Sequence, residues 1–550
     1  MHPSTLAKRG TVFLFLAILV FYFYGLGHLP FVGPDEPRYA QIAREMFLRH
    51  DLVTPRLGGH TWFEKPVLLY WMMMASFKLF GVSEWAARLP AAVSGLLTIA
   101  AVYCIGRRID RNAADENLQA YAFWSALVSA TTLGIVVFSR AASFDIILTM
   151  TTTWALAFYV LHEFERNERL RGVSLAGFYT FIGLSLLAKG LVGIVIPIGV
   201  VSLYYLFQRR LPRRNTLRSL VWGLPLALIV AAVWYAPVIR LHGWTFVDQF
   251  FIQHHFARYV SNKYHHWRPV YYYLLVIPLL ALPWTAFLID GLFPFRGRLK
   301  SARLSSGNRL SRLLVFALAW FLFPLLFFSF ANSKLPGYII PVLPAAALIV
   351  GERLWRIQSD QGNHRAAIRT TAALCLLFAL GALTYVWRVR DVPLTCAFLI
   401  AAPLCVAGVF ALFSRHSPAT SIVLIAGATL VVLMVVLRCG APGVAELQSS
   451  KHLLQLASER GYSQTGIYGM QRSDRTPEFY AAGRIAYGAD GEPIMYEGPD
   501  QVIQESHLRQ ETVLVFVPLV DVSRLTGMAS AQVDVIGNNG RHAIVAVRAL

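Results

Sequence analysis

Long apolar runs recur along this chain from residue 11 to about residue 438 and then stop, and no other feature constrains its fold as strongly. A bilayer core about 30 Å thick needs roughly 20 apolar residues per crossing helix and leaves no backbone polar group without an internal partner. The runs fall at about 11–29, 88–106, 120–138, 145–163, 174–189, 190–208, 219–240, 270–290, 313–331, 336–352, 370–387, 394–413 and 420–438. They predict an all-α polytopic membrane protein of about 13 transmembrane helices. With 56% hydrophobic and 15% charged residues over 550 positions, a soluble protein is excluded.

Sidedness follows from the cations. Lys8-Arg9, Arg107-Arg108-Arg111, Arg166 to Arg171, Arg209 to Arg218, Arg296 to Arg312, Arg353 to Arg369 and Arg415 alternate with the apolar runs, and such clusters stay cytoplasmic. This places the N-terminus inside and the end of the chain outside. The formal charge of +20 then reflects topology and contact with membrane lipids, so no nucleic-acid partner is expected. The run after Lys8-Arg9 has no small-residue cleavage site behind it and is read as a retained first helix.

Pro66 to Phe80 is short and ends near Lys78; counting it as a span would invert everything downstream. It is assigned to the outer interface, so that residues 30–87 form one long external loop. Residues 1–438 are thus the transmembrane domain, and residues 439–550 a soluble extracytoplasmic α/β domain. Strand-like runs at Thr465–Tyr468, Thr512–Val517 and His542–Val547 alternate there with helical patterns at His452–Arg460 and Gln501–Leu508. No catalytic motif stands out in that tail.

Polar residues foreign to a membrane domain all map to the outer layer. Asp35, Arg38 and Tyr39 lie in the first loop, followed by Glu64 and Lys65. Other segments add Arg140, Asp145, Lys189, Arg258, Arg268, Lys334 and Tyr338. Cations on the side that positive charge avoids call for an anion, and phosphate is the natural one. Each alone can equally be a snorkelling or loop residue. Asp35 and Asp145, each near a helix start, are candidate catalytic carboxylates or helix caps. Glu64, His255 and His266 carry donor types for a structural divalent metal such as zinc, or are an ion pair and two hydrogen-bonded loop histidines.

The set Asp35-Glu36-Pro37-Arg38-Tyr39, Phe63-Glu64-Lys65-Pro66 and Ser333-Lys334-Leu335-Pro336-Gly337-Tyr338 resembles the GT-C glycosyltransferases that use polyprenyl-phosphate sugars. Within them the chain is similar to the bacterial lipid A 4-amino-4-deoxy-L-arabinose transferases, relatives of the protein O-mannosyltransferases. The resemblance spans length, helix count and tail. It implies an undecaprenyl-phosphate-linked donor, a lipid A phosphate as acceptor and resistance to polymyxin through a less anionic surface. It also implies Asp35 as the catalytic carboxylate, with Arg38, Lys65 and Arg258 near the carrier phosphate. No cofactor is needed for such chemistry, and a monomer in the bacterial inner membrane is expected. Competing readings are a related transferase with another sugar or a protein acceptor, and a lipid or solute transporter. Against transport, ionisable residues near midplane depth are few and no inverted repeat of discontinuous helices is visible.

Overall fold

The computed structural model describes residues 15–110, 119–257, 267–294, 297, 299, 309–359, 365–389, 393–413, 418–471 and 475–550. The chain packs as two compact units: residues 1–24, 63–69 and 90–436 form one, and residues 25–62, 70–89 and 437–550 the other.

Among the described residues nine helices are long and apolar enough to cross a bilayer. Four of them are α3 (Phe144–Phe164), α4 (Glu168–Lys189), α6 (Arg214–Val247) and α7 (Arg309–Ser329), and shorter helices include α1 (Asp35–Arg49), α2 (Leu68–Phe80) and α5 (Val192–Gln208). Two expected spans are broken. Residues 120–138 form Gln119–Thr131 and Leu133–Phe138 on either side of an extended Thr132. Residues 270–290 divide into Tyr272–Leu280 and Thr285–Leu292, with Pro278 and Pro283 near the break. Proline lacks the N–H that an interior helical bond needs, which is the physical reason for the second interruption. The run at 66–80 is the 13-residue α2, too short to cross unaided.

The first unit holds a continuous apolar core whose large polar-tipped side chains are satisfied. Trp284 Nε1 donates to Thr131 Oγ1 at 3.0 Å, Trp320 Nε1 to the Pro341 carbonyl at 2.8 Å, and Tyr121 Oη to the Leu348 carbonyl at 3.2 Å. A run of threonines inside α3 is tolerated because Thr149, Thr151, Thr152 and Thr153 donate to carbonyls one turn back. At about 1.5 Å per residue, the 21 residues of α3 measure roughly 30 Å, one hydrocarbon thickness. Its two ends therefore stand at opposite membrane faces.

The second unit contains α1, a hairpin of β1 (Arg56–Leu57) and β2 (His60–Thr61), and the tail. Gly58 and Gly59 both take positive φ in the two-residue turn, the conformation that matches the twist of a hairpin. Tail strands β3 (Ile467–Met470), β4 (Met495–Tyr496), β5 (Val513–Pro518), β6 (Ala531–Asn538) and β7 (His542–Ala549) form one sheet in the order β4-β3-β5-β7-β6. Pairing is parallel on the β3 side and antiparallel through β7. Helices Lys451–Glu459 and Pro499–Arg509 flank it, so the tail is the α/β domain its sequence implies.

Candidate active site

The N-terminal end of α3 meets the C-terminal end of α4 at one face of the first unit. Ser143 caps α3, its Oγ accepting from the Asp145 N–H at 3.1 Å, so the Asp145 carboxylate is released from capping. It pairs with the ammonium of Lys189, the last residue of α4. Both helix dipoles favour this arrangement, with an anion at a helix start and a cation at a helix end. Lys189 Nζ also lies 4.4 Å above the Tyr338 ring, a cation–π contact. Gly337 makes the approach possible, since a Cβ there would fall 2.0 Å from Asp145 Oδ2.

Beside this pair lies a cleft of about 90 Å³ lined by Glu64, Lys65, Lys189, His254, Phe328 and Tyr338, among others. Lys65 and Glu64 form an ion pair at 3.0 Å, both side chains largely buried. Four of the residues singled out by sequence thus share one cavity: Glu64, Lys65, Lys189 and Tyr338, with Asp145 paired to one of them. Apolar walls lower the local dielectric, which raises the worth of each charge facing an incoming anion.

Lys334 is placed differently. Its ammonium donates to the carbonyls of Arg268 at 2.8 Å and Ala331 at 2.5 Å, and burial pushes its pKa down. It braces the 331–338 segment from behind. Arg140 similarly donates to the carbonyls of Phe21, at 2.8 Å, and Tyr24.

Asp35, Arg38 and Tyr39 belong to the second unit. Asp35 opens α1 without capping it, stands 55% exposed and pairs with Arg38 at 2.5 Å. The Arg38 guanidinium lies 5.4 Å from the Tyr39 ring and 5.3 Å from the Trp62 ring. Tyr39 is buried.

Arg258 and His266 lie outside the described residues, as does the side chain of His255. Among the described residues no group of three or more His, Cys, Asp or Glu is placed to hold a metal. Among the described residues the imidazole lining the cleft is that of His254, and Glu64 is paired with Lys65, so the described donors do not complete a zinc site.

Residues 64–239 match the family model of dolichyl-phosphate-mannose-protein mannosyltransferases. The undecaprenyl phosphate-α-4-amino-4-deoxy-L-arabinose arabinosyl transferase of Pseudomonas aeruginosa is 32% identical over 377 residues, covering 68% of this chain and 64% of that one. Its counterpart in Aeromonas salmonicida is 32% identical over 66% of this chain and 63% of its own length. The chain thus aligns over somewhat less than two-thirds of these relatives. The crystal structure of ArnT from Cupriavidus metallidurans bound to undecaprenyl phosphate superposes with a TM-score of 0.78 at 26% identity, covering 98% of both chains. The chain belongs to the GT-C glycosyltransferases. Its relatives place it on the aminoarabinose-transferase branch of them.

Sequence reasoning missed two features of this GT-C chain. Glu36, the neighbour of Asp35, is a structural anchor: Arg88 grips its carboxylate at 2.8 Å through two nitrogens and also donates to the carbonyls of Leu26, Leu29 and Pro30. The tail, in which no catalytic motif stands out, brings Arg475 to 5.5 Å from the Trp62 ring that Arg38 also faces. Arg475 pairs with buried Glu478 at 3.0 Å. Neither is legible locally, because the partners lie 52 residues apart for Glu36 and in another segment of the chain for Arg475.

Proposed function

We propose that the chain transfers 4-amino-4-deoxy-L-arabinose from undecaprenyl phosphate to a phosphate of lipid A, at the periplasmic face of the bacterial inner membrane. The observation that carries the reading is the cleft of Glu64, Lys65, Lys189 and Tyr338 at one membrane face, in a fold whose full-length neighbour is described as bound to undecaprenyl phosphate. Glycosyl transfer from such a donor expels a phosphate monoester, so negative charge grows on the leaving oxygen as the glycosidic bond breaks. Lys65 and Lys189 meet that charge, each held in place by a carboxylate of its own. Tyr338 positions Lys189 through its ring. An acceptor phosphate is already anionic and needs little help from a base. Asp35 is therefore assigned to orienting the acceptor or the cationic sugar, with Arg38 beside it.

The sidedness rests on charge: the other end of α3 to α6 carries Arg209, Arg210, Arg213, Arg214 and Arg218, which the positive-inside bias keeps cytoplasmic. The working unit is taken as a monomer, testable by light scattering in detergent. A structural divalent ion on Glu64, His255 and His266 stays a proposal, and no step of the transfer depends on it. Metal analysis of the purified protein against Glu64→Gln decides it.

The reading is tested by expressing the chain in a strain that makes the donor but lacks its own transferase, then analysing lipid A by mass spectrometry. Aminoarabinose-bearing lipid A is expected from the parent and not from Lys65→Ala. An unmodified lipid A together with a newly glycosylated protein would favour the protein-acceptor chemistry of the family model that matches residues 64–239. Near-normal transfer by Asp35→Asn would remove any catalytic part for that carboxylate.

A further inference from the structure

A second cavity lies at the far end of α3 to α6 from the Lys189 cleft. It has a volume of about 600 Å³ and is walled by Phe178, Ile198, Val201, Leu217 and Leu220, with Arg209 and Arg210 at its rim. Its charge is unbalanced. Glu163, buried near the end of α3, accepts from Arg210, from Arg312 at the start of α7 and from the Tyr205 hydroxyl at 3.1 Å. One carboxylate thus answers two guanidinium groups. The stretch from Gln208 to Arg218 adds Arg209, Arg213, Arg214 and Arg218 and contains no acidic residue. Below the rim the walls turn apolar: Leu206, Leu217 and Leu220 are exposed along an edge that continues to Val221. Nine residues of α5, from Ile198 to Leu206, give this wall a depth of about 12 Å.

A cationic rim above a long apolar slot, opening where a leaflet would meet the protein, matches one kind of molecule. We propose that this cavity binds an anionic diacyl phospholipid of the cytoplasmic leaflet, its phosphate on Arg209 at the rim, with Arg213 four residues further along the same cationic stretch adding to the attraction, and an acyl chain along Ile198, Leu217 and Leu220. Zwitterionic lipid has the same tails but brings a cation of its own toward an already cationic rim. Surface arginines near a headgroup each contribute to anionic-lipid affinity, and an excess that no carboxylate offsets is what makes the site selective. This inference stands apart from the transfer reaction and survives if the sugar or acceptor assigned above is wrong.

The full-length protein in neutral detergent is titrated with dioleoyl-phosphatidylglycerol, dioleoyl-phosphatidylcholine and a polyprenyl monophosphate, with retention read by native mass spectrometry and stability by thermal shift. Phosphatidylglycerol is expected to be retained and to raise the melting midpoint, while phosphatidylcholine does neither. The double change Arg209→Gln with Arg213→Gln should weaken phosphatidylglycerol binding about tenfold or more, whereas Arg365→Gln with Arg369→Gln, on a different helix, should not. Leu217→Trp, which fills the slot without altering charge, should weaken it too, and this second variant covers the case in which the arginine variant does not fold. Equal retention of the two phospholipids overturns the proposal. So does equal loss from both arginine pairs, or full retention by Leu217→Trp. Preference for the polyprenyl monophosphate would replace the phospholipid with a carrier lipid.

Discussion

Helices α3 and α4 carry charge at both ends, and the two ends are built on different principles. At the Lys189 end the two lysines of the cleft are each paired with a carboxylate, Lys189 with Asp145 and Lys65 with Glu64. At the other, Glu163 serves Arg210 and Arg312 together, and further arginines crowd the rim. Pairing holds a lysine in one geometry beside a cleft, and reacting groups must be held that closely. Excess positive charge fixes which face stays inside and attracts lipid headgroups, neither of which needs a fixed geometry. On the function proposed above, net charge marks sidedness and paired charge marks the reacting site.

The largest effect expected from this contrast is at the paired end. Lys189→Ala should lower transfer by about 10²-fold or more while the protein still folds, because it removes a cation aimed at the departing phosphate. Transfer close to that of the parent in a purified-enzyme assay would erase the distinction between the two ends. Glu163→Gln should do the reverse. Removing the shared carboxylate leaves two guanidinium groups without their anion and should cost about 3 kcal/mol of stability, seen as a lower melting midpoint with little change in KM for the donor.

Gly337→Ala sharpens the comparison from the backbone side. A methyl group 2.0 Å from Asp145 Oδ2 has to displace the carboxylate or the Pro336–Val342 turn. A loss of about 1–3 kcal/mol is expected, together with reduced transfer, and the same change at Gly172, where a Cβ meets nothing, should be silent.

The smallest effect concerns a group at neither end. Burial raises the Glu478 carboxyl from 4.5 to about 7, against the pull of Arg475 and Arg38. The folded protein then holds a proton that the unfolded chain releases near 4.5. Stability should fall as pH rises between those values and level off above about 7. Glu478→Gln should flatten that slope in melts of the full-length protein in detergent.

Much of the architecture was readable because it is local. A serpentine of apolar runs punctuated by arginines gave the membrane domain, and alternating short apolar strands gave the tail. The elements that escaped were those with weak local signals, such as the two-residue β4 and the edge strand β6, whose outward face is polar. The break at Thr132 escaped too, because composition there still looks like one helix. For the site, four of the residues singled out, Glu64, Lys65, Lys189 and Tyr338, do line one cleft. The roles could not be read off: Lys334 looks like a phosphate ligand in sequence, yet its ammonium is held by two backbone carbonyls.

The order of the residues by itself determined that this chain must cross a bilayer many times, and its cation clusters carry the expectation of which face each loop meets. Hydrophobicity and charge bias act residue by residue, so they survive in the linear string. Only the tertiary structure decided that Asp145 answers Lys189 from 44 positions away, that Gly337 makes room for the pair, and that Glu163 is shared by two arginines. Those are distances of a few ångströms between segments far apart in the chain, and packing alone sets them.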